Sequence, residues 1–136
     1  MKKTTFLLIT LLATLLSACS GGAASPEGEW TLVSYGDAAN PTPALPDVET
    51  SLSFGADGQF GGTVGCNSFG GGYTVNGDAI TFEGIVSTLM FCEGIADQES
   101  AVLGMLSDKT VRFSITGNQM TLTSEDGALA VVLARK

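Results

Sequence analysis

Two stretches forty residues apart decide how this chain folds: "YTVNGDAITF", Tyr73 to Phe82, and "FSITGNQMTL", Phe113 to Leu122. They align without gaps. Each reads aromatic, polar, β-branched, then a glycine-containing turn, then apolar-threonine-apolar. A period of two puts the bulky side chains on one face of a strand, and a short glycine turn between two such runs is a hairpin signal. Two copies are too few for a solenoid. They point either to a duplicated hairpin or to the common grammar of β-hairpins, and the second reading is preferred.

The same pattern extends outward from both stretches. "WTLVSY" (30–35) alternates bulky and small residues, and "SLSF" and "QFGGTV" flank "GADG" as a further hairpin. "MTLTS" joins "ALAVVLA" through "EDG" (125–127). Between the first strand and the first hairpin, "DAANPTPALPDVE" (37–49) holds three of the four prolines and is expected to be a long surface loop. One segment departs from this grammar. "EGIADQESAVLGML" (93–106) carries Ile95, Val102, Leu103 and Leu106 near helical spacing. Gly94 and Gly104 each weaken a helix by up to about 1 kcal/mol relative to alanine, so a short helix held by packing is expected. Its acids Glu93, Asp97 and Glu99 read as a solvated face, not a metal site.

The start of the chain, "MKKTTFLLITLLATLLSAC", has two lysines, an apolar run and small residues before a cysteine. This is the layout of a secretory leader, and the run falls short of the roughly 20 apolar residues that span a bilayer. "Leu16-Ser17-Ala18-Cys19" resembles the lipobox of bacterial lipoproteins, which implies cleavage before Cys19 and acylation of its thiol. The alternative is an ordinary leader with Cys19 incidental. Several acyl chains make a stable anchor. Residues 1–18 are therefore expected to be the leader, 19–28 a lipidated tether rich in small polar residues, and 29–136 one folded domain.

The leader takes two of the six basic residues, leaving four against fourteen acids, a formal net charge of −10. Nucleic-acid affinity rests on Lys and Arg neutralising phosphates, so no nucleic-acid partner is expected. The same charge disfavours an electrostatic grip on anionic lipid, leaving the acyl chains to hold the membrane. Outside the cytosol, the two cysteines that remain, Cys66 and Cys92, would normally pair. Closing that loop is worth roughly 3–4 kcal/mol in the chain-entropy model. The alternative is two buried free thiols.

"TVGCNSFGGGY" (63–73) raises the question of chemistry. A phosphate cradle needs a lysine after its glycines and then a helix; here no lysine occurs and a strand follows. A cysteine nucleophile needs a base, most often histidine, and the chain has no histidine. The same absence removes Ser–His–Asp triads and the common zinc sites. Composition leaves a carboxylate pair open, but the acids are scattered over turns and the helix face. No catalytic residue, metal site or cofactor is expected. The glycines at 61, 62, 65, 70, 71 and 72 are expected to permit positive φ and close backbone approach, with Asn67 tolerating a left-handed turn.

These residues carry a family likeness. Gly65-Cys66-Asn67, then Gly72-Tyr73, then Ser87-Thr88, Met90 and Cys92, then Glu99 in the helix, resemble the META domain of the HslJ-like heat-shock lipoproteins. Trp30 and the closing apolar strand extend the likeness over about 28–134. The resemblance implies a mainly β, α+β fold: a small antiparallel β-barrel or sandwich with one α-helix packed on it. It also implies an exported lipoprotein loosely linked to stress or antibiotic tolerance, and in other members to virulence or motility. No catalytic residue is implied.

Two functional classes follow. The first is a non-enzymatic envelope lipoprotein that binds another envelope component or supports the envelope under stress. Ser20 after Cys19, in place of Asp, would direct it to the outer membrane of a two-membrane host, facing the periplasm. The second, less favoured, is a carrier of a small apolar ligand in a cavity lined by such residues as Phe82, Met90, Phe91 and Met105, although plain core packing is the preferred reading of those four.

Overall fold

The computed structural model describes residues 24–136; the leader, Cys19 and residues 20–23 of the expected tether lie outside the described residues. Nine strands and one helix follow in order: β1 (Gly28–Asp37), β2 (Thr42–Pro43), β3 (Ser51–Phe54), β4 (Gln59–Thr63), β5 (Ser68–Asn76), β6 (Ala79–Ser87), α1 (Ala96–Leu106), β7 (Thr110–Thr116), β8 (Gln119–Ser124) and β9 (Leu129–Arg135). Every pairing is antiparallel. From β3 to β9 each strand neighbours the next in sequence, and β1 lies between β3 and β9, from Trp30 opposite Arg135 to Asp37 opposite Leu129. The result is a closed barrel of eight strands, to which β2 adds a two-residue rung on β1. Closure removes the exposed edges that an open sheet of short strands would leave. Barrel, not sandwich, is therefore the architecture.

The two matching stretches form the hairpins β5–β6 and β7–β8. Their registers coincide: Tyr73 faces Phe82 as Phe113 faces Leu122, and Val75 faces Ile80 as Ile115 faces Met120. Both two-residue turns open on a glycine with positive φ, Gly77 at 63° and Gly117 at 59°. An eight-stranded barrel has an interior just wide enough for side chains to fill. Here Phe54, Phe60, Phe82 and Tyr73 fill it, with ring centroids 4.7 to 6.2 Å apart. Offset and edge-on pairs of this kind add about 0.5–1.5 kcal/mol each beyond their buried area.

The glycines around Cys66 divide into two kinds. Gly62, at φ 147°, lies so close to β3 that a β-carbon there would strike the Ser51 carbonyl. Gly65, at φ 146°, would drive one into the Ile95 side chain. By contrast Gly61, Gly70, Gly71 and Gly72 keep negative or extended φ. Among these Gly71 matters most. Two residues of β6, Gly84 and Ile85, oppose it where the register shifts, and a β-carbon on Gly71 would stand 2.8 Å from the Glu83 carbonyl and the Ile85 side chain. This is a β-bulge, with Gly84 at φ 62°.

The barrel has two unlike ends. At the first, β1 begins beside the 55–58 turn, and Asn118 accepts a hydrogen bond from the Arg135 backbone. Pro26, within the expected tether, is buried there and takes the Trp30 indole N–H at 2.7 Å. Arg135 stacks over the Trp30 ring and donates to the Glu27 carbonyl. At the second end, α1 closes the opening. Its Gln98, fully buried, donates to the Val64 carbonyl and accepts from the Leu45 amide, so the proline-rich loop and the Gly65 turn are tied to one helix.

Candidate functional site

The second end gathers most of the residues that carried the family likeness. Cys66 and Cys92 are joined in a disulfide with their Cα atoms 5.8 Å apart. Beside the disulfide lies Asn67, which is almost completely buried and makes every hydrogen bond its side chain allows. Its Oδ1 accepts from the Met90 amide and the Thr88 hydroxyl, both at 2.7 Å. Its Nδ2 donates to the Met90 carbonyl at 3.0 Å and to Glu99. The carboxamide thus pairs with Met90 N–H and C=O as a peptide group in a neighbouring strand would. It supplies one more rung to the sheet just ahead of Ser68, where β5 begins. Only a side chain holding a donor and an acceptor on one planar group can do this, which is the physical reason for Asn after Cys66.

Glu99 completes the clamp. One carboxylate oxygen accepts the Asn67 backbone N–H at 2.6 Å and the other accepts Asn67 Nδ2. Hydrogen bonds to an ionised acceptor are short and about twice as strong as neutral ones. The expectation that Glu99 lies on a solvated face is therefore wrong, although Glu93 and Asp97 are exposed as expected. A buried carboxylate needs partners that the sequence does not place beside it, and here a residue 32 positions away provides both. Gln98 was missed for the same reason. Both stand three and four residues after Ile95 and before Val102, on the inward face of the helix, and that spacing was the available signal. Asn67 is not in the left-handed region, so that expectation is also corrected.

The clamp holds out a loop. Thr88 N–H donates to the Ser68 carbonyl, Met90 is fixed by Asn67, and Cys92 by its disulfide. Along this segment the apolar side chains turn outward: Leu89 is 96 % exposed, Phe91 84 %, Val86 72 % and Met90 61 %. The cavity that the carrier reading requires of Phe82, Met90, Phe91 and Met105 does not form, and the plain-core reading holds for two of the four. Phe82 and Met105 belong to the packed core, while Met90 and Phe91 face solvent. Beside the loop, a cleft of about 500 Å³ runs between residues 87–92 and the Ala96, Ser100 and Leu103 side of α1. Ser87 lies exposed on its rim.

Gly72 and Tyr73 are not part of this site. Tyr73 packs edge-on against Phe54 and donates its hydroxyl to the Gly55 carbonyl, toward the first end of the barrel. Burial, reinforced by the charges of Glu27 and Asp57, raises its pKa above the usual phenol value, so it remains a donor. Among the described residues, no three His, Cys, Asp or Glu side chains converge as metal ligands would.

Comparison with known proteins gives one family and a set of similar folds. The model of the META domain family matches residues 23–136. A protein from Burkholderia xenovorans, solved by NMR, is similar with a TM-score of 0.66 at 21% identity, over 81% of this chain and 82% of that one. A DUF4847 family protein from Bacteroides vulgatus, known from a crystal structure, is similar with a TM-score of 0.63 at 16% identity, over 81% and 93%. Identities this low speak for a shared barrel only. No curated protein matches the chain.

Proposed function

The chain belongs to the META domain family, and on that premise we propose that it is a non-enzymatic envelope lipoprotein that binds another envelope protein through the loop at residues 86–91. One observation carries this reading. Leu89 and Phe91 are the most exposed large apolar side chains described, and they stand on a segment fixed by a disulfide and by the Asn67–Glu99 clamp. Exposed apolar surface held in one conformation is a recognition feature, because little ordering entropy is left to lose on binding.

The position of the loop argues for a partner outside the protein's own membrane. With a lipid on Cys19, six peptide steps separate the anchor from Ser25, next to the buried Pro26, and chain geometry limits that span to about 20 Å at most. A ten-residue strand such as β1, tilted as barrel strands are, takes up a similar height. The loop sits at the opposite end from that attachment. An upright domain therefore holds the loop toward the periplasm in a two-membrane host, where it meets envelope proteins. The stress and tolerance role fits a module of this kind, which acts by contact and needs no catalytic group.

The test is site-specific photocrosslinking in intact cells under envelope stress. A photoreactive residue at position 89 is expected to give a discrete adduct, absent with the same residue at exposed Gln119 at the other end. Equal labelling at 89 and 119, or none at either, overturns the reading. Radiolabelled fatty acid incorporated into the wild type and lost in Cys19→Ala checks the anchor.

A further inference from the structure

The barrel is closed, but one strand is paired on both sides for only part of its length. β6 runs from Ala79 to Ser87, yet its register with β7 covers Ala79 to Thr81 alone. Phe82 N–H still reaches the Lys109 carbonyl, and Gly84 N–H is taken by the Asp108 side chain at 2.9 Å. Beyond that point no backbone partner lies on the β7 side among the described residues. On the β5 side, pairing continues. Val86 faces Gly70, Thr88 N–H donates to Ser68, and Met90 is paired by the Asn67 carboxamide.

Successive peptide groups in a strand point to opposite sides. The even-numbered positions Val86, Thr88 and Met90 turn inward to β5 and Asn67. The peptide groups of Ile85, Ser87 and Leu89 then face outward, along a short open ladder. The bulge at Gly84 produces this phase, since before it the even-numbered Phe82 and Gly84 point toward β7. The disulfide and the clamp hold the segment beyond Ser68, the first residue of β5.

We infer that residues 85–89 form a strand-addition site, where an extended segment of the partner protein pairs with the open edge of β6 and places apolar side chains against Leu89 and in the cleft beside α1. This rests on the binding role proposed above and specifies its mode. Main-chain pairing supplies affinity in such sites, and alternate side chains supply selection. Charge decides the occupant. Glu83, Glu93, Asp97 and Asp108 are exposed around the edge, against Lys109 alone. A second copy would bring the same acids face to face. An apolar strand flanked by Lys or Arg fits instead.

The probe is a short peptide of alternating valine and threonine between terminal lysines, titrated into the full chain in detergent and followed by amide NMR shifts. Shifts centred on Ile85, Ser87 and Leu89, with affinity reduced about tenfold or more when alternate peptide amides on one face are N-methylated, are expected; that loss corresponds to about 1.4 kcal/mol or more. Methylation of the opposite face should change little. Two outcomes overturn strand addition while leaving the binding role intact: indifference to methylation, or no shifts at 85–89 although the adduct at position 89 persists. A dimer in sedimentation that Ser87→Pro dissolves would make the occupant a second copy and overturn the assignment to a separate partner. Loss of the adduct at 89 would instead remove the binding role itself.

Discussion

The hairpins β5–β6 and β7–β8 begin as near copies and end as opposites. Over ten residues each they share register, turn glycine and burial, with Phe82 and Leu122 both sealed in the core. The second hairpin is enclosed: β8 pairs with β9 from Gln119 to Thr123. The first hairpin makes its last backbone hydrogen bond to the β7 side at Phe82, bulges at Gly84, and continues as an exposed apolar segment. Alternation of side chains is thus enough to build a barrel wall. What distinguishes a wall from an exposed edge is the set of contacts beyond the hairpin: a glycine bulge, a disulfide, and an asparagine acting as a strand.

The strongest way to break the likeness between the hairpins is at their matched interior positions. Phe82→Ala should destabilise by about 3–5 kcal/mol and Leu122→Ala by about 2–5 kcal/mol, through lost burial and the cavity left behind. Urea unfolding at equilibrium measures both. A Phe82 variant near wild type would mean that the first hairpin contributes little to the core. The structural equivalence would then be an equivalence of shape alone.

The parts set by periodicity are legible in the residues themselves: the strands from "WTLVSY" to "ALAVVLA", the turns at Gly77 and Gly117, and helix α1. The family likeness brought together Gly65, Cys66, Asn67, Ser87, Thr88, Met90, Cys92 and Glu99 as one group, and most of it converges at one end of the barrel. What it did not reveal was the division of labour. Gly72 and Tyr73, in the same motif, serve the core and the first end. Apolar composition placed Met90 and Phe91 inside, because nothing local says that a disulfide and a side-chain clamp hold them out. Charge placed Glu99 in solvent, because its partner Asn67 is distant in sequence. Contacts of that range depend on the closed barrel, so no local pattern encodes them.

The clamp supplies a sharper comparison of intermediate size, between two acids on one helix. Glu99→Gln turns one acceptor into an amide that faces an Asn67 donor. It should destabilise by about 2 kcal/mol, the range for hydrogen bonds to charged groups. Exposed Asp97→Asn, two residues earlier, should stay within about 0.5 kcal/mol. If urea unfolding finds the two alike, the buried network does not fix the loop, and the rigidity on which the binding role depends is lost with it.

The smallest effect on stability is also the most discriminating. Phe82 and Phe91 are nine residues apart, with one sealed in the barrel and the other open to solvent. Phe91→Ala should leave unfolding unchanged within about 0.5 kcal/mol, yet weaken the adduct at position 89. An apolar ring kept in water without benefit to the fold needs another use, and recognition provides one. Should Phe91→Ala destabilise the barrel as Phe82→Ala does, the loop would be part of the core, and its exposure would have no bearing on a partner.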